Sequence, residues 1–250
     1  MMEYLAVIPA RFASSRFPGK PLAMIAGKSM VQRVYEQTCK AFANVYVATD
    51  HPDIYSAVEE FGGRVVMTSA NHPNGTSRVL EAMQKIEKIR GTMCKYVINV
   101  QGDEPFISPE QLMELTKCFD DPQAEIATLM KRIEEQAELY DSSTPKVVCD
   151  KYGRALYFSR STIPFLRDIP QNEWSCHHPF YKHIGLYGYK REILPEIVSM
   201  EEGLLEKAEK LEQLRWLENG IKISVRESSY DSYSVDTPAD IDSLKAKGII

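Results

Sequence analysis

The chain has 250 residues, a net charge of −5, 44% hydrophobic residues and 26% charged residues, a composition ordinary for a folded domain with a sizeable core. The acidic balance argues against a general nucleic-acid binder, and no run of 18 apolar residues suggests a membrane span. Five scattered cysteines without C-x-x-C spacing read as reduced thiols, and Met1-Met2-Glu3 leads straight into a strand with no leader pattern, so a cytoplasmic protein is expected.

In chain order, Tyr4-Leu5-Ala6-Val7-Ile8 reads as a buried first strand ended by Pro9. A loop follows with three cations, Arg11, Arg16 and Lys20. From Tyr4 to Tyr35 there are five Lys or Arg and no Asp or Glu, where about four or five acids are expected at the chain's average. Small residues (Ala13, Ser14, Ser15, Gly19) let backbone N–H groups approach an anion. Such a loop at the carboxyl end of a first strand is where open α/β sheets bind ligands, and the ligand implied is a polyanion, most simply a nucleoside triphosphate. It is not a P-loop: Ser14 stands where the first glycine is needed and Pro21 follows Lys20.

Ser29 is placed to cap a helix carrying Met30, Val34, Cys39 and Phe42 near one face. Asn44 to Thr49 is a second strand, Ile54 to Phe61 a helix stopped by Gly62-Gly63, and Arg64 to Thr68 a third strand. Thr76 is expected to cap the next helix, which runs to about Arg90. Tyr96 to Val100 is a buried strand broken by Gln101-Gly102-Asp103-Glu104-Pro105, and Ser108-Pro109-Glu110-Gln111 carries a capping-box pattern. These alternations predict right-handed βαβ units and a mostly parallel sheet.

The second half reads as strands at 125–131, 147–149, 155–159, 183–189 and 221–225, with Asp150-Lys151-Tyr152-Gly153 as a hairpin turn. Residues 166–180 are expected to be an irregular, mobile loop, and Leu204 to Glu218 one helix. Thr237-Pro238-Ala239-Asp240 opens the last helix. With no linker or repeat, residues 1–250 are expected to form a single domain, with a substrate-facing hairpin insertion around 145–190.

Asp103 follows a buried strand, where a carboxylate either holds Mg2+ for a nucleotide or forms a turn beside Gly102. Asp236 is the more telling acid. Thr237 as N-cap, Pro238 at N1 and Asp240 at N3 already satisfy the helix start, so Asp236 has no structural task. Glu212 and Arg215 fall inside the apolar arc of their helix and read either as an ion pair holding the fold or with Glu212 facing a polar substrate. Periodicity does not nominate Gln213. His183 opens an apolar strand, where a packed histidine is the commoner case. Cys176-His177-His178 lacks a fourth ligand at zinc spacing.

Seven stretches in order resemble the 3-deoxy-manno-octulosonate cytidylyltransferases: Ile8-Pro9-Ala10-Arg11 with Ser15-Arg16-Phe17-Pro18-Gly19-Lys20-Pro21-Leu22; Val47-Ala48-Thr49-Asp50; Asn99-Val100-Gln101-Gly102-Asp103-Glu104-Pro105; Tyr157-Phe158-Ser159-Arg160 with Ile163-Pro164; His183-Ile184-Gly185-Leu186-Tyr187-Gly188-Tyr189; Leu211-Glu212-Gln213-Leu214-Arg215; and Val235-Asp236-Thr237-Pro238. The resemblance spans nearly the whole chain. It implies a three-layer α/β/α fold of the nucleotide-diphospho-sugar transferase kind, CTP and the sugar acid Kdo as substrates, Mg2+ as cofactor, and a homodimer serving lipopolysaccharide synthesis. It implies that Arg11, Ser15 and Lys20 cradle the triphosphate, that Ala10 also binds the nucleotide, that Gln101 and the backbone near Arg78 meet the cytidine, and that Asp103 and Asp236 hold metal. Arg160, His183, Tyr187, Glu212 and Gln213 are implied as the sugar-acid pocket. One departure is Ser77, where the family usually carries an acid before Arg78. The alternatives are a cytidylyltransferase for another sugar acid, such as sialate, or a nucleotide-binding regulator without catalysis; the 183 and 211–215 segments favour Kdo. No general base is nominated.

Overall fold

The computed structural model describes every residue except 14–16, 232 and 247. In chain order the strands and helices are β1 (Met2–Ala10), β2 (Met24–Ile25), β3 (Lys28–Ser29), α1 (Met30–Ala41), β4 (Val45–Thr49), α2 (Pro52–Glu60), β5 (Val65–Met67), α3 (Gly75–Arg90), β6 (Cys94–Asn99) and α4 (Pro109–Thr116). They continue with β7 (Ile126–Arg132), α5 (Gln136–Tyr140), β8 (Lys146–Cys149), β9 (Ala155–Ser159), α6 (Trp174–His177), β10 (Tyr181–Lys190), α7 (Ile193–Ser199), α8 (Leu204–Glu209), α9 (Gln213–Glu218), β11 (Ile223–Glu227) and α10 (Pro238–Ala246). The chain divides into two compact units, one of Met1–Met113, Gly188–Val198 and Ser232–Ile250, the other of Glu114–Tyr187 and Ser199–Asp231.

In the first unit β6, β1, β4 and β5 lie side by side and parallel. Leu5, Ala6, Val7 and Ile8 in β1 are fully buried, as expected for a strand covered by helices on both faces. Each such Leu, Val or Ile contributes about 1.5–3 kcal/mol by leaving water. Parallel pairing puts the carboxyl ends of β1, β4, β5 and β6 on one edge, so the segments after Ala10, Thr49, Met67 and Asn99 gather there.

Two local expectations are corrected. Pro9 does not end β1; it stays in register with Ala48, since a proline one residue from the strand's end removes only a terminal ladder donor. The cap of α3 is Asn74, whose side chain accepts the Ser77 N–H at 2.9 Å, while Thr76 is buried in the first turn. Ser29 caps α1 as expected, accepting the Gln32 N–H.

In the second unit β7 and β11 are parallel, and β8 and β9 form the antiparallel hairpin expected, with Asp150 accepting the N–H groups of Tyr152 and Arg154. The helix expected over 204–218 is broken in two. Lys210 takes a left-handed conformation (φ 53°), α9 starts afresh at Gln213, and Leu204 is largely exposed. Residues 166–180 are not a bare loop: Trp174 and Phe180 are buried against Ile133 and Leu139, and the Trp174 indole donates to the Ile169 carbonyl at 2.9 Å. No described helix is long and apolar enough to cross a membrane.

Candidate active site

The sheet edge of the first unit opens into a cavity of about 830 Å³, lined by Ala10, Arg11, Lys20, Arg78, Gln101, Asp103 and Asp236 among others. That volume suits a nucleotide-sized ligand. Gly19 lies at φ +67°, the left-handed turn that starts the 3-10 segment Lys20–Leu22 and turns Lys20 back toward the strand ends. There the Lys20 ammonium donates to Asp103 Oδ2 at 2.8 Å and to Asp236 Oδ1 at 3.1 Å. Its side chain is only 15% exposed.

Each partner is placed by the backbone around it. The turn carrying Asp103 packs so closely on β1 that a Cβ at Gly102 would stand 2.7 Å from the Pro9 carbonyl oxygen. The Val235 N–H donates to the Asp103 carbonyl at 2.8 Å, which ties the segment bearing Asp236 to that turn. The start of α10 is satisfied by Asp240, whose carboxylate accepts the N–H groups of Asp236 and Thr237 at 2.8 and 2.7 Å. The carboxylate of Asp236 is thereby directed to Lys20 and not to the helix start.

Arg11 is exposed at the cavity rim. Arg78 is buried, donating to Thr68 Oγ1 and to Asp50 Oδ2, each at 2.7 Å. Its guanidinium therefore holds the walls together, and only part of its surface lines the cavity. Ser15 lies outside the described residues. Sequence reasoning passed over Asp50, His51, Phe12 and His72. Phe12 stacks on His51 with centroids 3.9 Å apart, and Asp50 joins the loop after β1 to Arg78. Asp50 was marked by its place at the end of a strand and in the resembling stretch Val47-Ala48-Thr49-Asp50, but no role was read from either.

The second unit brings His183 and Tyr187 together on β10 (centroids 5.4 Å), with Phe158 edge-on to His183 and Tyr187 edge-on to Trp216 of α9. His183 Nε2 lies 2.9 Å from Thr128 Oγ1, and burial pushes its imidazole down to about 3. Gln213 is buried at the start of α9, and its Nε2 has no hydrogen-bond partner among the described residues. Glu212 precedes it. The ion pair of this region is not Glu212–Arg215: Arg215 makes a two-pronged contact with Glu206 at 2.6 and 2.7 Å, because the break at Lys210 turns α8 alongside α9. Arg160 directs its guanidinium to the carbonyls of Glu209, Ser142 and Lys210.

Among the described residues no cluster of three or more His, Cys, Asp or Glu stands ready for a metal. Asp103 and Asp236 nonetheless converge on one cation, and two carboxylates completed by phosphate oxygens and water are the donor set Mg2+ accepts. The donors present fit that ion.

A parallel-sheet edge with a basic loop and two converging carboxylates defines a nucleotide-handling α/β protein. A family model described as cytidylyltransferase matches residues 5–223. The 3-deoxy-manno-octulosonate cytidylyltransferase of Bacteroides thetaiotaomicron is 51% identical over 96% of both chains, and that of Parabacteroides distasonis 49% identical over 98% of both. A solved CMP:2-keto-3-deoxy-manno-octonic acid synthetase complexed with CTP superposes with a TM-score of 0.89 at 41% identity, covering 99% of this chain and 98% of that one. The chain belongs to the cytidylyltransferase family, within its 3-deoxy-manno-octulosonate branch.

Proposed function

We infer that this chain transfers CMP from CTP to the anomeric hydroxyl of 3-deoxy-D-manno-octulosonate, releasing pyrophosphate. The observation that carries this reading is the convergence of Lys20, Asp103 and Asp236 in one cavity with Arg11 and Gln101, in a chain about half identical to proteins named for that reaction. The C2 hydroxyl oxygen of Kdo attacks the α-phosphorus and gives its proton up to solvent, while the bond from the α-phosphorus to the α,β-bridging oxygen breaks and pyrophosphate leaves. Catalysis of this kind is mostly positioning and neutralisation of phosphate charge.

Arg11, Ser15 and Lys20 take the triphosphate, Ala10 also binds the nucleotide, and Gln101 with the backbone near Arg78 takes the cytidine. Asp103 and Asp236 would hold Mg2+, which supplies charge neutralisation on the phosphates when bound. Lys20 releases its carboxylate partners and turns to the phosphates as CTP enters.

In the second unit His183, Tyr187, Glu212, Gln213 and Arg160 take the sugar acid. Support comes from the buried Gln213 amide, whose unpaired donor calls for a polar ligand atom. Burial keeps His183 neutral, able to hydrogen-bond a hydroxyl. The same reading makes the protein a cytoplasmic homodimer that serves lipopolysaccharide synthesis.

The test is pyrophosphate release with CTP, Mg2+ and a panel of sugar acids. Release with Kdo and not with sialate is expected; release with sialate alone would overturn the substrate, and no release with any acid would leave a binding protein.

A further inference from the structure

The segment from Thr68 to Asn74, between β5 and α3, contributes His72, Pro73 and Asn74 to the cavity wall. A loop without a ladder of its own keeps its shape through the side chains that satisfy its polar groups. Here one carboxylate holds two points of the loop. Glu81 Oε2 accepts the Ser69 backbone N–H at 2.9 Å and contacts His72 Nε2, while Glu81 Oε1 pairs with Lys85 at 2.7 Å. Ser77, one turn earlier on the same face of α3, lies with its Oγ 3.1 Å from His72 Nδ1. Both ring nitrogens of His72 are thus held by the helix that follows the loop. Burial pushes the Glu81 carboxyl up, but the bonds from Lys85, Ser69 and His72 outweigh it and bring it down to about 2.

We propose that Glu81 is a positioning residue for nucleotide recognition: through Ser69 and His72 it fixes the loop wall against which CTP is held. The proposal rests on the reading that CTP fills this cavity. Glu81 is 24% exposed and outside the cavity lining, so it acts through His72 and not on the ligand. Losing it removes two hydrogen bonds to a charged acceptor, each typically worth a factor of about ten or more.

The test uses Glu81→Ala, alone and with Ser77→Asp, which returns a carboxylate to His72 from the other ring nitrogen. Amide exchange without ligand is expected to speed about tenfold or more over residues 68–74 in Glu81→Ala, with β1 and β6 unchanged. In turnover, KM for CTP is expected to rise about tenfold with kcat within about twofold, and Ser77→Asp is expected to restore much of the loss. Unchanged exchange overturns the proposal whatever ligand the cavity takes. Faster exchange with an unchanged KM, or a fall in kcat with KM unchanged, also overturns it. A wild-type protein that does not turn over CTP is a separate result, and sinks the CTP reading.

Discussion

Lys20 and Asp103 form an ion pair of 2.8 Å, and Asp236 closes on the same ammonium at 3.1 Å. The basic loop and the acidic strand ends therefore meet in one cluster of a single ammonium and two carboxylates. Under the proposed function, a phosphate chain entering the cavity divides this cluster, drawing Lys20 to its oxygens and leaving the carboxylates for a cation.

Asp103→Asn and Asp236→Asn are each expected to lower kcat by about a hundredfold or more, the usual loss for groups that stabilise transition-state charge. Both should also weaken Mn2+ binding in the presence of CTP, followed by electron paramagnetic resonance, with little change in melting temperature. Near-normal turnover of either variant at saturating Mg2+ removes that residue from the metal-holding pair.

Lys20→Met is expected to slow the chemical step itself at saturating CTP and Kdo, because charge on the departing pyrophosphate grows toward the transition state. A merely attractive surface charge would instead change CTP encounter, an effect that salt screens. Single-turnover rates at low and high salt separate the two, and an unchanged rate at both salts contradicts the role given to Lys20.

Arg215→Ala is expected to cost about 3–5 kcal/mol of stability, because it leaves Glu206 buried without its fork-shaped partner. Replacing both by methionine should recover most of that loss. Urea unfolding checks both; equal midpoints for wild type and Arg215→Ala would show that the pair is dispensable.

The strands of the first unit were legible because β1 and β6 are nearly continuous apolar runs ended by polar turns. Asp236 was legible for a local reason: the Thr237–Asp240 cap left it unoccupied, and the structure directs it to Lys20. The break at Lys210 was not legible, since Leu204, Leu205, Ala208 and Leu211 continue a helical pattern, and a left-handed lysine has no sequence mark. Nor was Arg215–Glu206, which exists only because of that break. His72–Glu81 joins a loop to the second turn of a helix, and spacing rules for single elements do not register such a pair.

His183 is expected to set part of the acid-side stability. Its imidazole is held near 3 in the fold against 6.5 for an open histidine, so between those values the unfolded chain binds the extra proton. The contribution is whole above about pH 6.5 and is lost as pH falls toward 3. His183→Asn should flatten stability against pH over that window, read from urea unfolding at stepped pH. An unchanged slope contradicts an imidazole that the fold holds neutral.

The most direct measurement follows the α-phosphorus. Wild-type protein is mixed with Mg2+, Kdo and CTP labelled at that atom, and the quenched products are separated. The account predicts that the label moves into a CMP–Kdo conjugate in step with release of unlabelled pyrophosphate, and that Asp103→Asn and Lys20→Met slow both together. Label that stays in CTP, or appears only in free CMP while Kdo is unchanged, would contradict it.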